Sequence, residues 1–124
     1  PIWLNEGLAE YEESKIKPVE LGRLKTALKN NSLIGISSLD QTFSLMNGRR
    51  QQTQEEQDLI ALAYVVSYTI AKYILHRFTR AHIQQLLRRL REGASINEAL
   101  KRELYLSAEQ LQKQWIEYIQ SNYR

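Results

Sequence analysis

Thr53-Gln-Glu-Glu56-Gln-Asp-Leu59-Ile60-Ala-Leu62-Ala63-Tyr64-Val65-Val66-Ser67-Tyr68-Thr69-Ile70-Ala71-Lys72-Tyr73-Ile74-Leu75-His76-Arg77 carries no glycine, no proline and no alternation of apolar with polar residues. Thr53 followed three residues later by Glu56 is a capping box, in which the threonine hydroxyl and the glutamate carboxylate each accept a backbone N–H of the first turn. A helix opened there runs to about Arg77. From Leu59 onward it is apolar almost all round, as Leu59, Ile60, Leu62, Ala63, Val65, Val66, Ile70 and Ile74 show. A helix with no polar face has to be surrounded, so this one is expected at the centre of the molecule.

Outward from that helix the pattern stays helical. Thr79 caps a further helix with Ile83, Leu86, Leu87 and Leu90 on one stripe, stopped by Gly93. Ser95 with Glu98, and Ser107 with Gln110, repeat the capping signature, and the last helix presents Leu111, Trp115, Tyr118 and Ile119. On the N-terminal side, residues 1–14 place Leu4, Leu8 and Tyr11 on one stripe and Glu6, Glu10 and Glu13 on another. Pro18 is read as opening the next helix, which turns Leu21, Leu24 and Leu28 inward and ends at Asn30 and Asn31. Residues 31–53, with Gly35, Ser37, Ser38, Asn47 and Gly48, are the least regular part. They are expected to form a surface-covering connection with one short helix from Leu39 to Met46. The expectation is one all-α domain over residues 1–124, an irregular bundle of about six helices around a long central buried one.

With 124 residues, 43% of them hydrophobic, the chain can bury a core without staples. The absence of cysteine excludes a disulfide framework, a thiolate zinc site and a cysteine nucleophile, and leaves the compartment open. The longest apolar stretch, Leu59 to Ala71, is interrupted by Ser67 and Thr69 and falls short of the ~20 residues of a bilayer span, so no transmembrane segment is expected. The first residue is proline, and the chain reads as a piece of a longer protein. The net charge of +3 is uneven: residues 1–13 hold four glutamates and no base, whereas residues 77–102 hold seven Lys or Arg against two Glu.

The string Trp3-Leu4-Asn5-Glu6-Gly7-Leu8-Ala9-Glu10-Tyr11 closely resembles the third-ligand helix of gluzincins, the zinc peptidases that include thermolysin-like and aminopeptidase-type enzymes. In that family a His-Glu-x-x-His helix supplies two imidazole ligands and the general base, and a glutamate on the following helix completes the site. Three protein ligands leave one position of a tetrahedral zinc open to water, whose pKa the metal lowers toward neutrality. By resemblance Glu6 is the carboxylate ligand, and Gly7 after it implies a close approach by a neighbouring helix, since a glycine inside a helix otherwise costs ~1 kcal/mol. Glu10 receives no role.

Ala63-Tyr64-Val65-Val66-Ser67-Tyr68, followed by Lys72-Tyr73-Ile74-Leu75, resembles the helix that carries a substrate-facing tyrosine in these peptidases. The resemblance implies that Tyr64, with Tyr68 one turn on as its rival, donates a hydrogen bond to the oxyanion of the tetrahedral intermediate. Buried tyrosines on an apolar helix also serve as plain core residues. The tail from Gly93 to Tyr118 resembles the closing segment of bacterial peptidase-MA-like proteins, which leaves residues 15–58 without a counterpart.

The only histidines are His76 and His82, no His-Glu-x-x-His occurs, and ligands on one helix face need a spacing of three or four. Both imidazole ligands and the base are therefore expected upstream, or were never there. Zinc is expected in the longer parent, together with a peptide or protein substrate, and this chain alone is expected to be inactive and to bind zinc negligibly. Two other readings stand beside the enzyme. One is a binding module using Arg77, Arg80, Arg88, Arg89 and Arg91 on nucleic acid, against which Arg88 and Arg91 lie opposite the leucine stripe with no interleaved aromatic. The other is a catalytically inactive peptidase-like helical scaffold or interaction module.

Overall fold

The computed structural model describes residues 1–48 and 51–123, and these form α-helices without strands. In chain order they are α1 (Ile2–Glu13), α2 (Gly22–Lys29), α3 (Ile36–Phe43) followed by a 3-10 turn (Ser44–Asn47), α4 (Gln54–Arg77), α5 (Arg80–Arg91), α6 (Ile96–Leu104) and α7 (Ala108–Asn122). The expected fold class holds, with seven α-helices among the described residues.

Helix α4 is the axis. Its cap is made in both directions, Glu56 N donating to Thr53 Oγ1 at 3.1 Å and Thr53 N to Glu56 Oε1 at 3.0 Å. By length and hydropathy α4 would suffice to cross a membrane, yet 56% of its most apolar window is buried inside the fold, among the helices packed around it. Ala63, Val66, Ile70 and Ile74 join Leu24, Leu39, Phe43, Leu100, Leu111, Trp115 and Ile119 in one core cluster. Two polar links fasten α7 to it: Trp115 Nε1 donates to Thr69 Oγ1 at 2.9 Å in the core, and Tyr73 Oη to the half-buried Gln114 Oε1 at 2.8 Å. The far end of α4 turns cleanly, because Thr79 Oγ1 accepts from His82 N and Gly93, at φ +101°, closes α5 in a backbone region glycine enters freely.

Three expectations change. Helix α2 starts at Gly22 rather than Pro18. Residues 18–21 instead alternate, Pro18 and Glu20 exposed, Val19 and Leu21 half-buried, which seats both apolar side chains as a helical turn would not. Helix α3 starts three residues early, at Ile36, because the cap missing from Gly35 comes from Gln112 of α7, whose Oε1 accepts Ile36 N at 2.8 Å. Finally, the stretch 31–53 is more than a surface connection. Ile34, Ile36, Leu39 and Phe43 are all buried in the core; residues 49–50 of that stretch lie outside the described residues.

Candidate active site

Helix α1 lies along α4, its most extensive contact. Trp3, Leu4 and Gly7 are buried, and Glu6 and Glu10 are half-buried. A Cβ built on Gly7 would sit 2.3 Å from Ser67 O, 2.8 Å from Ser67 C and 3.2 Å from Ala71 Cβ. The glycine after Glu6 is thus the point where two helix backbones touch. The approach allowed by Gly7 is that of α4, a helix of this same chain. Toward its C-terminal end α1 meets earlier residues of α4: Glu10 and Glu13 share a groove of about 590 Å³ with Lys17, Val19, Ala61 and Val65. The two helices therefore run antiparallel.

The other end of α1 has no local cap, since Pro1 precedes it. Asp40 of α3 fills that role from a distance. Its Oδ1 accepts Trp3 N at 2.8 Å and its Oδ2 accepts Ile2 N at 3.2 Å. A carboxylate there also meets the positive end of the helix dipole. No residue near Ile2 announces this cap, and Asp40 was expected only on a short helix within a surface-covering connection.

The antiparallel crossing brings Glu6, Glu10 and Tyr64 within electrostatic reach of one another. Burial pushes the Tyr64 phenol above its ordinary value of 10, and the negative charges of Glu6 and then Glu10 push it further. Burial likewise raises the Glu10 carboxyl, with Glu13 and Glu6 adding to it. Tyr64 is therefore a neutral donor around neutrality. Its ring meets Phe43 edge to face at 5.0 Å between centroids, and its hydroxyl rests 3.9 Å from Met46 Sδ, a weak acceptor that a stronger one can displace.

A family model described as the Peptidase MA superfamily matches residues 1–121. The chain belongs to this superfamily. No curated protein and no solved structure matches it. The match to the peptidase MA superfamily runs from α1 into α7, so it takes in residues 15–58, for which the motif resemblance offered no counterpart.

Within this peptidase MA domain the two tyrosines separate. Tyr64 feels the charges of Glu6 and Glu10, whereas Tyr68 is 7% exposed and stacks under the Lys72 ammonium, 5.9 Å from its ring centroid. The histidines stay on the surface: His76 is exposed in the last turn of α4, and His82 Nδ1 lies 2.8 Å from Thr79 Oγ1. Among the described residues no three His, Cys, Asp or Glu side chains form a group able to hold a metal ion. Structural and catalytic zinc sites take three or four nitrogen, sulfur or carboxylate ligands in tetrahedral array. The donors gathered here, two carboxylates on one helix face and a neutral phenol, do not by themselves fit a resident zinc ion.

Proposed function

We propose that this chain is the C-terminal helical part of a gluzincin-type zinc metallopeptidase domain, supplying the glutamate ligand Glu6 to a site completed by an upstream His-Glu-x-x-His segment. The observation that carries this reading is the superfamily match over residues 1–121, with the Trp3-Leu4-Asn5-Glu6-Gly7 string on a helix held against the core. The half-buried setting of Glu6 supports it, as does the neighbouring neutral phenol of Tyr64. A bound zinc would activate water for attack on a peptide bond. Against that chemistry this chain sets three things: a carboxylate on a rigid helix, a phenol O–H able to donate to a developing oxyanion, and a helical wall beside the cleft. The substrate class is a peptide or protein.

The test is the sequence encoded just before position 1, followed by assay of the longer protein. The expected result is a His-Glu-x-x-His motif there and zinc-dependent cleavage of peptides that Glu6→Gln abolishes and Tyr64→Phe slows by at least ~100-fold, as loss of one oxyanion donor does. A broken motif and no cleavage would instead make this a peptidase-like scaffold.

A further inference from the structure

Helix α3 touches both halves of the candidate site. Asp40 binds the first two amides of α1, the helix that bears Glu6 one turn further on. On the same helix, one turn later, Phe43 packs edge to face on Tyr64, and Met46 in the following 3-10 turn meets the Tyr64 hydroxyl. The helix is itself anchored at the other end, where Gln112 of α7 caps Ile36, and Leu39 and Phe43 are fully enclosed in the core.

We propose that Asp40 is the positioning residue for Glu6, fixing the axial position and rotation of α1 through the amides of Ile2 and Trp3 and thereby the placement of the carboxylate one turn further along. The geometry supports this over a role in folding alone. Gly7 against Ser67 O lets α1 lie close to α4, and Trp3 and Leu4 pack into the core beside it, but neither contact is directional as a hydrogen bond is. A carboxylate at the helix start holds α1 directionally, since each of its two oxygens is committed to a different neighbouring amide. The first turn is otherwise uncapped: the amides of Ile2, Trp3 and Leu4 have no carbonyl four residues back, and Asn5 N is the first to find one, Pro1 O at 3.4 Å. Removing Asp40 frees the end of the helix nearest Glu6, while the far end still holds through Ser14 N, Glu10 O and the turn beyond.

The inference rests on the peptidase reading for its consequence, though not for its structural half, and the experiment keeps the two apart. Asp40→Ala, Asp40→Asn and the remote core variant Ile119→Val are compared by amide hydrogen exchange in this chain. In the protein with its native upstream sequence, they are compared by zinc affinity. Asp40→Ala is expected to raise exchange in residues 3–8 by at least ~10-fold while α7 stays protected, and Asp40→Asn, which keeps one acceptor for Trp3 N, to restore most of the protection. Zinc affinity is expected to fall roughly 10-fold in Asp40→Ala, the lower end of what orienting groups around a metal ligand contribute, and to be unchanged in Ile119→Val. Unaltered exchange in α1 overturns the positioning role whatever the metal does. Loosened α1 with wild-type zinc affinity overturns it too. Absence of zinc from the wild-type longer protein sinks the peptidase reading instead, and leaves the α1 exchange result to decide whether Asp40 sets the helix.

Discussion

Replacing Gly7 by alanine adds one methyl group at the tightest point of the fold. The new Cβ would lie 2.3 Å from Ser67 O and 2.8 Å from Ser67 C, both backbone atoms inside a long buried helix. Neither can swing aside as a side-chain tip would. An unstrained carbon-to-carbonyl contact is about 3.3 Å, so α1 has to lift from α4 by roughly 1 Å. Trp3 and Leu4, 2% and 1% exposed, then lose close packing along the same seam. Overpacking of this kind costs about 1–3 kcal/mol, and more where backbone must move, while alanine regains ~1 kcal/mol of helix propensity. The net expectation is a loss of about 2 kcal/mol, read as a lower urea midpoint with an unchanged slope. Gly22→Ala is the internal control. Nothing lies within 4 Å of a Cβ there, so the same substitution at the start of α2 should stabilise by about 0.4–1 kcal/mol. If Gly7→Ala matches or exceeds wild-type stability, the helices do not cross at that glycine and the placement of Glu6 derived from the crossing is wrong.

Other substitutions probe the core and the candidate site. Among the described residues Ser67 Oγ is buried without a hydrogen-bond partner, so Ser67→Ala should be neutral or stabilise by up to about 1 kcal/mol in chemical denaturation; a clear loss would show that the hydroxyl has a partner. Thr69→Val removes the acceptor of the buried Trp115 N–H and should cost about 1–3 kcal/mol, with a shifted tryptophan emission; an unchanged protein would mean the indole is not bonded there. Burial, then the Tyr123 hydroxyl, raise the Tyr118 phenol from its ordinary value of 10 to about 12. The folded state thus holds that proton more tightly than the unfolded chain. Its stabilisation is fully present below pH 10 and disappears as the pH climbs through about 12. Urea midpoints across that window should fall less steeply in Tyr118→Phe than in wild type, and parallel curves would contradict the assignment.

What could be read from the sequence was whatever acts over a turn or two. Thr53 with Glu56 and Ser107 with Gln110 form the reciprocal caps their spacing implies, and Gly93 ends α5. The α4 periodicity placed that helix at the centre. The caps that escaped notice are those of α1 and α3, where Pro1 and Gly35 offer no capping side chain. Their caps come from Asp40 and Gln112, 37 and 76 residues away in sequence. Ile34 and Ile36 looked like loop residues because Gly35, Ser37 and Ser38 surround them, although α7 and α4 close over them. At the site, Glu6 was legible only through the nine-residue string around it. Tyr64 and Tyr68, one turn apart on one helix, could not be separated by spacing. It takes the antiparallel crossing of α1 at Gly7 to bring one within reach of the Glu6 charge and leave the other to Lys72.

The most direct measurement is zinc stoichiometry and affinity in the protein carrying its native upstream sequence, for wild type, Glu6→Gln and Glu10→Gln. If Glu6 is the carboxylate ligand, wild type and Glu10→Gln bind one tight zinc each, and Glu6→Gln loses most of its affinity. Tight zinc binding that survives Glu6→Gln, or that follows Glu10 instead, would contradict it.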